Sequence, residues 1–395
     1  VIDVIVVRDR AHTHEEIITG MDVSSISVDV EMDTTNQISF TAYKLSDNLM
    51  AFSLLLNEAQ VKWHGQWYTV KQCDLSISGG IPTKAITAIA VGFGITDVRP
   101  NITPWEVTDT TDANGNTITA VPRKYTVEQI MSLALDGNAY GYSYKIVGGT
   151  DSVELTSMDR QNASDMLKTY IIDDMGWVMT FDNYVITVES LDSFKRDTGK
   201  VMRYYGQTDT STMSNDSTSI ANAVRLYGAN NQYLGEYTDT DSIAQYGKHY
   251  GDDITSDTAT SASALNSAAA KSLNTTAIPT STIQTNYIGQ WDDLELGEMV
   301  QWIMEPFGMS QKMMVAGKSG SPYTGDPITI TWTSGNTNKA NVNSMLDLQA
   351  QISKQVSMLS KTAANAQKGG SGTTSVDMSW TQEGVNQVGS YFNDN

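Results

Sequence analysis

The chain has 395 residues, of which 45 are acidic and 25 basic, giving a formal charge of −20, and it carries one cysteine. That length allows two to four domains. A lone Cys73 excludes an internal disulfide framework and a thiolate zinc site, no apolar run approaches the roughly 20 residues that span a bilayer, and the charge opposes nucleic-acid binding, which depends on Lys and Arg displacing counterions.

Residues 1–7 (Val-Ile-Asp-Val-Ile-Val-Val) are too short and too acidic for a signal peptide and read as a strand. Ile26, Val28, Val30 and Met32 alternate with polar residues, and Ile38, Phe40 and Ala42 continue the period of two that marks half-buried strands. Ser46–Leu56 suits a short helix or a buried turn. Val61–Val70 predicts a hairpin with Gly65 in its turn, and two more strands flank Gly79-Gly80. Many short strands at this spacing predict a small β-barrel over residues 1–97.

Residues 98–123 are rich in Thr, Asp, Asn and Pro and read as a connection. Thr126 and Gln129 stand at capping-box spacing before Ile130, Leu133 and Leu135, which predicts a helix. A second helix begins near Asn162 or Ser164, buries Met166, Leu167, Tyr170 and Ile171, and ends at Gly176. Trp177, Met179 and Phe181 then alternate, Asp182-Asn183 turns the chain, and Tyr184, Ile186 and Val188 return. The expectation is an α+β domain over 98–195.

Strand patterning resumes at Val201–Gly206 and Val224–Tyr227 and is completed by Thr282–Gly289, Leu296–Met304, Lys312–Ala316 and Pro327–Trp332. These predict a second barrel, over 196–238 and 276–335, interrupted by a helical insertion at 239–275. Within the stretch Asn222–Gly251, Gly228 and Asn230-Asn231 favour left-handed turn geometry. Asp241 there can cap a short helix that places Ile243 and Tyr246 on its apolar face and closes at Gly247.

That stretch reads Val-x-Leu-Tyr-Gly, a polar turn, then Asp-Ser-Ile-x-x-Tyr-Gly. This succession resembles the tail-tip hub proteins of long-tailed bacteriophages and prophages. They are relatives of the contractile-tail baseplate hub, also called tail-associated lysins or prophage endopeptidase tail proteins. The likeness of order runs over about residues 1–350.

One internal echo supports two related units. Val61-x-Trp63 opens a hairpin in the first and Val300-x-Trp302 in the second, each followed later by an Ile-Thr strand (Ile86-Thr87; Ile328-Thr329). Shared β-sheet vocabulary is the alternative.

Residues 336–368 predict a helix. Val342, Gln349, Val356 and Ala363 recur every seven residues, with Met345, Ile352, Leu359 and Ala366 three after each. That is a heptad seam in which Gln349 specifies register. Val342, Met345, Gln349, Ile352, Val356, Leu359 and Ala363 are therefore the candidate self-association residues. An amphipathic helix docked on its own domain is the other reading. Residues 369–395 are a Gly-rich linker and a tail.

Chemistry-bearing clusters are sparse. His12 and His14 stand two apart on a strand and would share a zinc ion only with a third ligand from elsewhere; a solvated turn is the simpler reading. Cys73 reads as a small hydrophobe. Asp173-Asp174, Asp252-Asp253 and Asp292-Asp293 sit beside glycines or helix ends, as solvated caps do, rather than in the apolar pocket a glycosidase acid needs. Asp109–Asn116 lacks the ligand alternation of a calcium loop.

The sequence thus predicts a mainly β, α+β protein with two small β-barrel domains, an intervening α+β domain, a helical insertion and a C-terminal helix. No catalytic, metal or cofactor site is expected. The resemblance implies a homotrimeric hub at the distal tip of a virion, made in the bacterial host cytoplasm. It would extend or close the tail tube channel beside the distal tail protein ring. Receptor-binding or baseplate proteins would be further partners, with DNA passing without specific binding and no stable membrane insertion. Many such hubs continue into a peptidoglycan-degrading domain, and this chain is expected to be a short form without one. The acidic excess then either keeps the protein soluble or lines a passage in which DNA slides without sticking. Two rival functions are a tail-associated peptidoglycan endopeptidase using His12 or His14, and a saccharide-binding module using Trp63, Trp67 and Tyr68.

Overall fold

The computed structural model describes residues 4–333, apart from 108–109, 112–113, 115–116, 119–120, 257–258, 278–279 and 308. The heptad seam, with Val342, Met345, Gln349, Ile352, Val356, Leu359 and Ala363, lies outside the described residues.

In the first part of the chain the expected alternation becomes a layer with one apolar side. Ile26, Val28, Ile38, Phe40, Ile86 and Ala88 are buried in one core, whereas Ser27, Ser39 and Thr87 between them are not. They lie on the strands Met21–Glu31, Thr35–Tyr43 and Ile81–Ala90, which pair antiparallel in that order. Ile81–Ala90 then pairs with Gln66–Ser78, that strand with Gln60–Trp63, and Gln60–Trp63 with Val6–Arg8. Tight turns follow the glycines. His64 and Gly65 adopt φ of 45° and 80°, and Gly79 and Gly80 φ of 58° and 82°, a left-handed region in which glycine has no Cβ penalty. Helix Leu49–Leu54 lays Ala51 and Phe52 over the core. Lys84 secures it from beneath, its Nζ donating to the carbonyls of Phe52 at 2.7 Å and Leu55 at 2.6 Å.

The later part of the chain repeats this layout. Thr208–Asp216, Thr280–Tyr287, Ile328–Thr333, Met309–Gly320, Glu298–Met304 and Arg196–Arg203 lie side by side in that order. The likeness extends to single residues. Gln66–Ser78 slips register between Val70 and Gln72 against its neighbour, and Met309–Gly320 slips between Val315 and Gly317. Counting back from these bulges, Val61 opposite Tyr68 matches Val300 opposite Met313, and Trp63 opposite Gln66 matches Trp302 opposite Gln311. The Val-x-Trp echo therefore marks equivalent positions. The Ile-Thr echo does not: Ile86-Thr87 corresponds to Ile330-Thr331, two residues beyond the expected Ile328-Thr329. One strand differs in direction, since Val6–Arg8 runs antiparallel to its neighbour and Arg196–Arg203 parallel.

The two expected barrels are not there. Among the described residues the strands form one open thirteen-stranded sheet, with neither half closed on itself. Closure needs the first strand of a half to pair with its last. Instead the outer edge of Met21–Glu31 is taken by Met309–Gly320, with Glu31 opposite Gly317, Val30 opposite Lys318, Asp29 opposite Ser319 and Val28 opposite Gly320. The join makes the apolar sides continuous, so Trp63, Val61, Ile38, Trp302, Ile283 and Trp332 belong to a single core. Alternation fixes which face is buried but carries no information on which edge meets which.

Residues between the halves gather a separate core. The capping box forms as expected, with Gln129 N donating to Thr126 Oγ1 and Thr126 N to Gln129 Oε1. Helix Val127–Leu135 buries Val127, Ile130, Met131, Ala134 and Leu135. Asn162 caps the next helix, and Gly176 ends its continuation at φ 69°. Ser143–Val147, Val185–Ser190 and Trp177–Asp182 make a three-stranded sheet against these helices.

A third core lies between Thr208–Asp216 and Thr280–Tyr287. It joins Val224, Leu226, Leu265, Ala269 and Leu273. Asn230 and Asn231 take φ of 58° in the expected turn, and Gly247, at φ 82°, closes helix Thr240–Tyr246. The cap is Asp239 rather than Asp241, and the residue the helix buries is Ser242 rather than Ile243 or Tyr246. Among the described residues no helix is long and apolar enough to cross a membrane.

Candidate functional site

The residues singled out for chemistry are dispersed and structurally engaged. Asp9 accepts from the backbone N–H groups of Thr13 at 2.6 Å and His14 at 3.2 Å, which folds the turn between Val6–Arg8 and Glu15–Ile17. The Thr13 hydroxyl and these amides hold the Asp9 carboxyl well below the usual range. His14 Nδ1 lies 3.4 Å from Asp9 Oδ2. His12 is in the same turn at φ 58°, its pKa lowered by burial and then by Arg8. Among the described residues no three His, Cys, Asp or Glu side chains converge to hold a metal. Cys73 is half-buried, and burial raises its thiol pKa. Asp293 serves structure: its Oδ2 accepts from Gln290 N at 2.7 Å and from the Tyr287 hydroxyl at 3.0 Å.

The aromatic trio proposed for saccharides is equally committed. Trp63 and Tyr68 are buried, and Trp63 Nε1 donates to the Tyr323 hydroxyl at 2.8 Å. Trp67 is covered by the Arg8 guanidinium, 3.8 Å from its ring. A stacking platform for a sugar needs open aromatic faces, and these are closed.

The large sheet itself is the more distinctive surface. Opposite the core, Thr35–Tyr43 carries Gln37, Ser39 and Thr41, and Ile81–Ala90 carries Ala85, Thr87 and Ile89. In the second half Thr280–Tyr287 carries Gln284 and Asn286, and Ile328–Thr333 carries Thr329, Thr331 and Thr333. None of these is charged. Asp29 and Glu31 adjoin them on Met21–Glu31, and the Asp29 pKa is raised by burial and then by Glu31. Such a face offers hydroxyl and amide groups but few cations to exchange for phosphate counterions.

The turn after Met21–Glu31 ties the sheet to the central core. Asp33, at φ 63°, accepts from Met179 N at 2.6 Å. Burial raises its pKa from 3.8 to about 6, against the amide, which lowers it. Because the folded-state pKa lies above the unfolded one, the folded form takes up a proton as pH falls, so this group costs stability above pH 6 and the cost fades towards pH 4. Asp33→Asn keeps an acceptor for Met179 and suits the left-handed turn. It is expected to raise stability at pH 7.5 by about 2 kcal/mol and to flatten the rise in melting temperature expected between pH 7 and pH 4.5. An unchanged pH profile in thermal melts refutes this role.

This fold, an open sheet duplicated within one chain with an α+β core between the halves, is shared with solved phage tail proteins. The prophage tail protein gp18 of Listeria monocytogenes is 20% identical; the match covers 89% of this chain and 99% of that one with a TM-score of 0.58. A tail protein of Neisseria meningitidis is 10% identical, covering 84% and 96% with a TM-score of 0.53. The 43 kDa tail protein of prophage MuSo2 from Shewanella oneidensis is also 10% identical, covering 84% and 98% with a TM-score of 0.54. No curated protein matches the chain.

At the level of sequence families, residues 5–90 match the prophage endopeptidase tail N-terminal domain and residues 196–345 match the prophage endopeptidase tail family. The chain is thus homologous to prophage tail proteins over these two segments. The two matched segments coincide with the two halves of the large sheet.

Proposed function

We propose that the protein is a hub subunit at the distal tip of a phage tail, three copies of which form a ring that extends or closes the tail tube channel. The observation that carries this reading is the duplicated half-sheet: two equivalent units per chain give six around a threefold axis, which matches a sixfold tube to a threefold tip. In this arrangement residues 1–97 and the second half (196–216 with 280–335) are the ring units; 98–195 and 217–279 project from them, the strands at 223–238 expected in the second ring unit belonging instead to the projecting part, and the helix expected at 336–368 adds a self-association seam. The neutral hydroxyl and amide face, edged by Asp29 and Glu31, suits a wall past which DNA moves without binding. The distal tail protein ring, the tail tube and baseplate or receptor-binding proteins are the partners, and the virion tail tip is the location.

The test is the mass in solution. Sedimentation is expected to give about three times 43.1 kDa, reduced by truncation after Gly335. A stable species of a single chain at micromolar concentration overturns the reading.

A further inference from the structure

The two halves of the sheet are equivalent in strand order and register, yet their edges are used unequally. Within the chain, the outer edge of Met21–Glu31 is seated on the end of Met309–Gly320 that follows its bulge, residues Gly317–Gly320. By the register of the bulges, the same stretch in the first half begins at Gln72, with Cys73 equivalent to Lys318 and Asp74 to Ser319. Among the described residues no strand other than Ile81–Ala90 pairs with Gln72–Ser78. The counterpart of the seated edge is Thr208–Asp216: Met213 opposite Ile283 corresponds to Val28 opposite Ile38, which makes Ser214 equivalent to Asp29 and Asp216 to Glu31. Among the described residues that strand pairs only with Thr280–Tyr287 and ends the sheet. One chain therefore carries both parts of a join it makes once internally, and both are left over.

We propose that the free stretch Gln72–Ile77 of one copy receives Ser211–Asp216 of a second copy as an added antiparallel strand, in the register of the internal join. Gln72 then stands opposite Asp216, Cys73 opposite Asn215, Asp74 opposite Ser214 and Leu75 opposite Met213. This rests on the ring reading above and specifies its contact.

Two further observations favour this occupant. Leu75 and Ile77 are 68% and 74% exposed on the unpaired stretch, whereas edges meant to stay free are blunted by charge, proline or brevity. The charges also fit. The internal join places Glu31 opposite Gly317 and Asp29 opposite Ser319; the new one places Asp216 opposite Gln72 and Asp74 opposite Ser214, so an acid again meets a neutral residue on each occasion. Because donor and acceptor edges differ, the contact is head-to-tail, and repetition closes a ring when the rotation allows.

The test is disulfide trapping in the full chain carrying Cys73→Ser. Paired residues in an antiparallel ladder have Cβ atoms about 4.5–5.5 Å apart, near the separation a disulfide spans. Asp74→Cys with Ser214→Cys is expected to give covalent dimers and trimers on mild oxidation. Asp29→Cys with Ser319→Cys, across the internal join, is the geometric control and gives an intramolecular link. Ser76→Cys with Ser214→Cys, two residues out of register, is expected to link at least tenfold less. Leu75→Lys with Ile77→Lys is expected to weaken assembly at least tenfold without changing the melting of the single chain, since both side chains are exposed. If sedimentation shows three copies but the 74/214 pair links no better than 76/214, the join is overturned and the ring reading stands. If the unmodified protein is a single chain, both fall.

Discussion

Replacing Trp302 by alanine is expected to lower stability by about 3–5 kcal/mol, the range for deleting a large buried aromatic. Its side chain is fully buried between the two halves of the sheet, in the core that also holds Trp63, Trp332 and Ile283. Phenylalanine separates the contribution of volume from that of the indole N–H. Trp302 Nε1 has no acceptor among the described residues, whereas its counterpart Trp63 donates to Tyr323 at 2.8 Å. Trp302→Phe loses volume but also removes a buried donor without a bond. Trp63→Phe loses volume and a hydrogen bond worth about 1 kcal/mol. Urea unfolding should therefore rank Trp63→Phe as the more damaging by about that amount. The opposite ranking would contradict the assigned bonding of the two rings.

The second large effect concerns the parallel pair at the margin of the second half. Glu298 is buried, and Lys200 Nζ reaches both its carboxylate oxygens at 2.9 and 2.8 Å while also donating to the Asp293 carbonyl at 2.6 Å. Lys200→Met leaves the buried carboxylate without a bonded cation and, among the described residues, with only the Glu295 backbone N–H at 3.2 Å. Removing one partner of a buried pair costs about 3–5 kcal/mol, and because Lys200 is partly exposed the lower end is expected. Adding Glu298→Gln should recover most of the loss, since no buried charge then remains. A double variant as unstable as Lys200→Met would show that packing, not charge, governs the site.

What the sequence disclosed and what it concealed follow from the range of the interactions. Local signals are legible in the sequence: the capping box of Thr126 and Gln129, the turns at Gly65, Gly79-Gly80 and Asn230-Asn231, and the helix end at Gly176 all depend on residues within a few positions. Asp239 and Asp241 send the same capping signal two residues apart, and only the burial of Ser242 decides between them. The Val-x-Trp echo was visible because equivalent core positions require equivalent shapes. The barrels failed because the pairing of Met21–Glu31 with Met309–Gly320 joins residues nearly 290 apart, and alternation reads the same whether a strand closes its own half or reaches another. For the candidate site, the clusters read as possible chemistry became turns and core, while the neutral face emerged only after strands from both halves were laid side by side.

The connection that follows each edge strand differs greatly between the halves. After Met21–Glu31 it is the three-residue turn Met32–Thr34, clasped by Asp33; after Thr208–Asp216 it is residues 217–279, with their own apolar centre. In a circle of alternating halves, only every other member would bear this knob. In the proposed ring a neighbour that grips the strands would meet twice as many positions as one that grips the knobs, so a single polypeptide would present two different symmetries to two different partners.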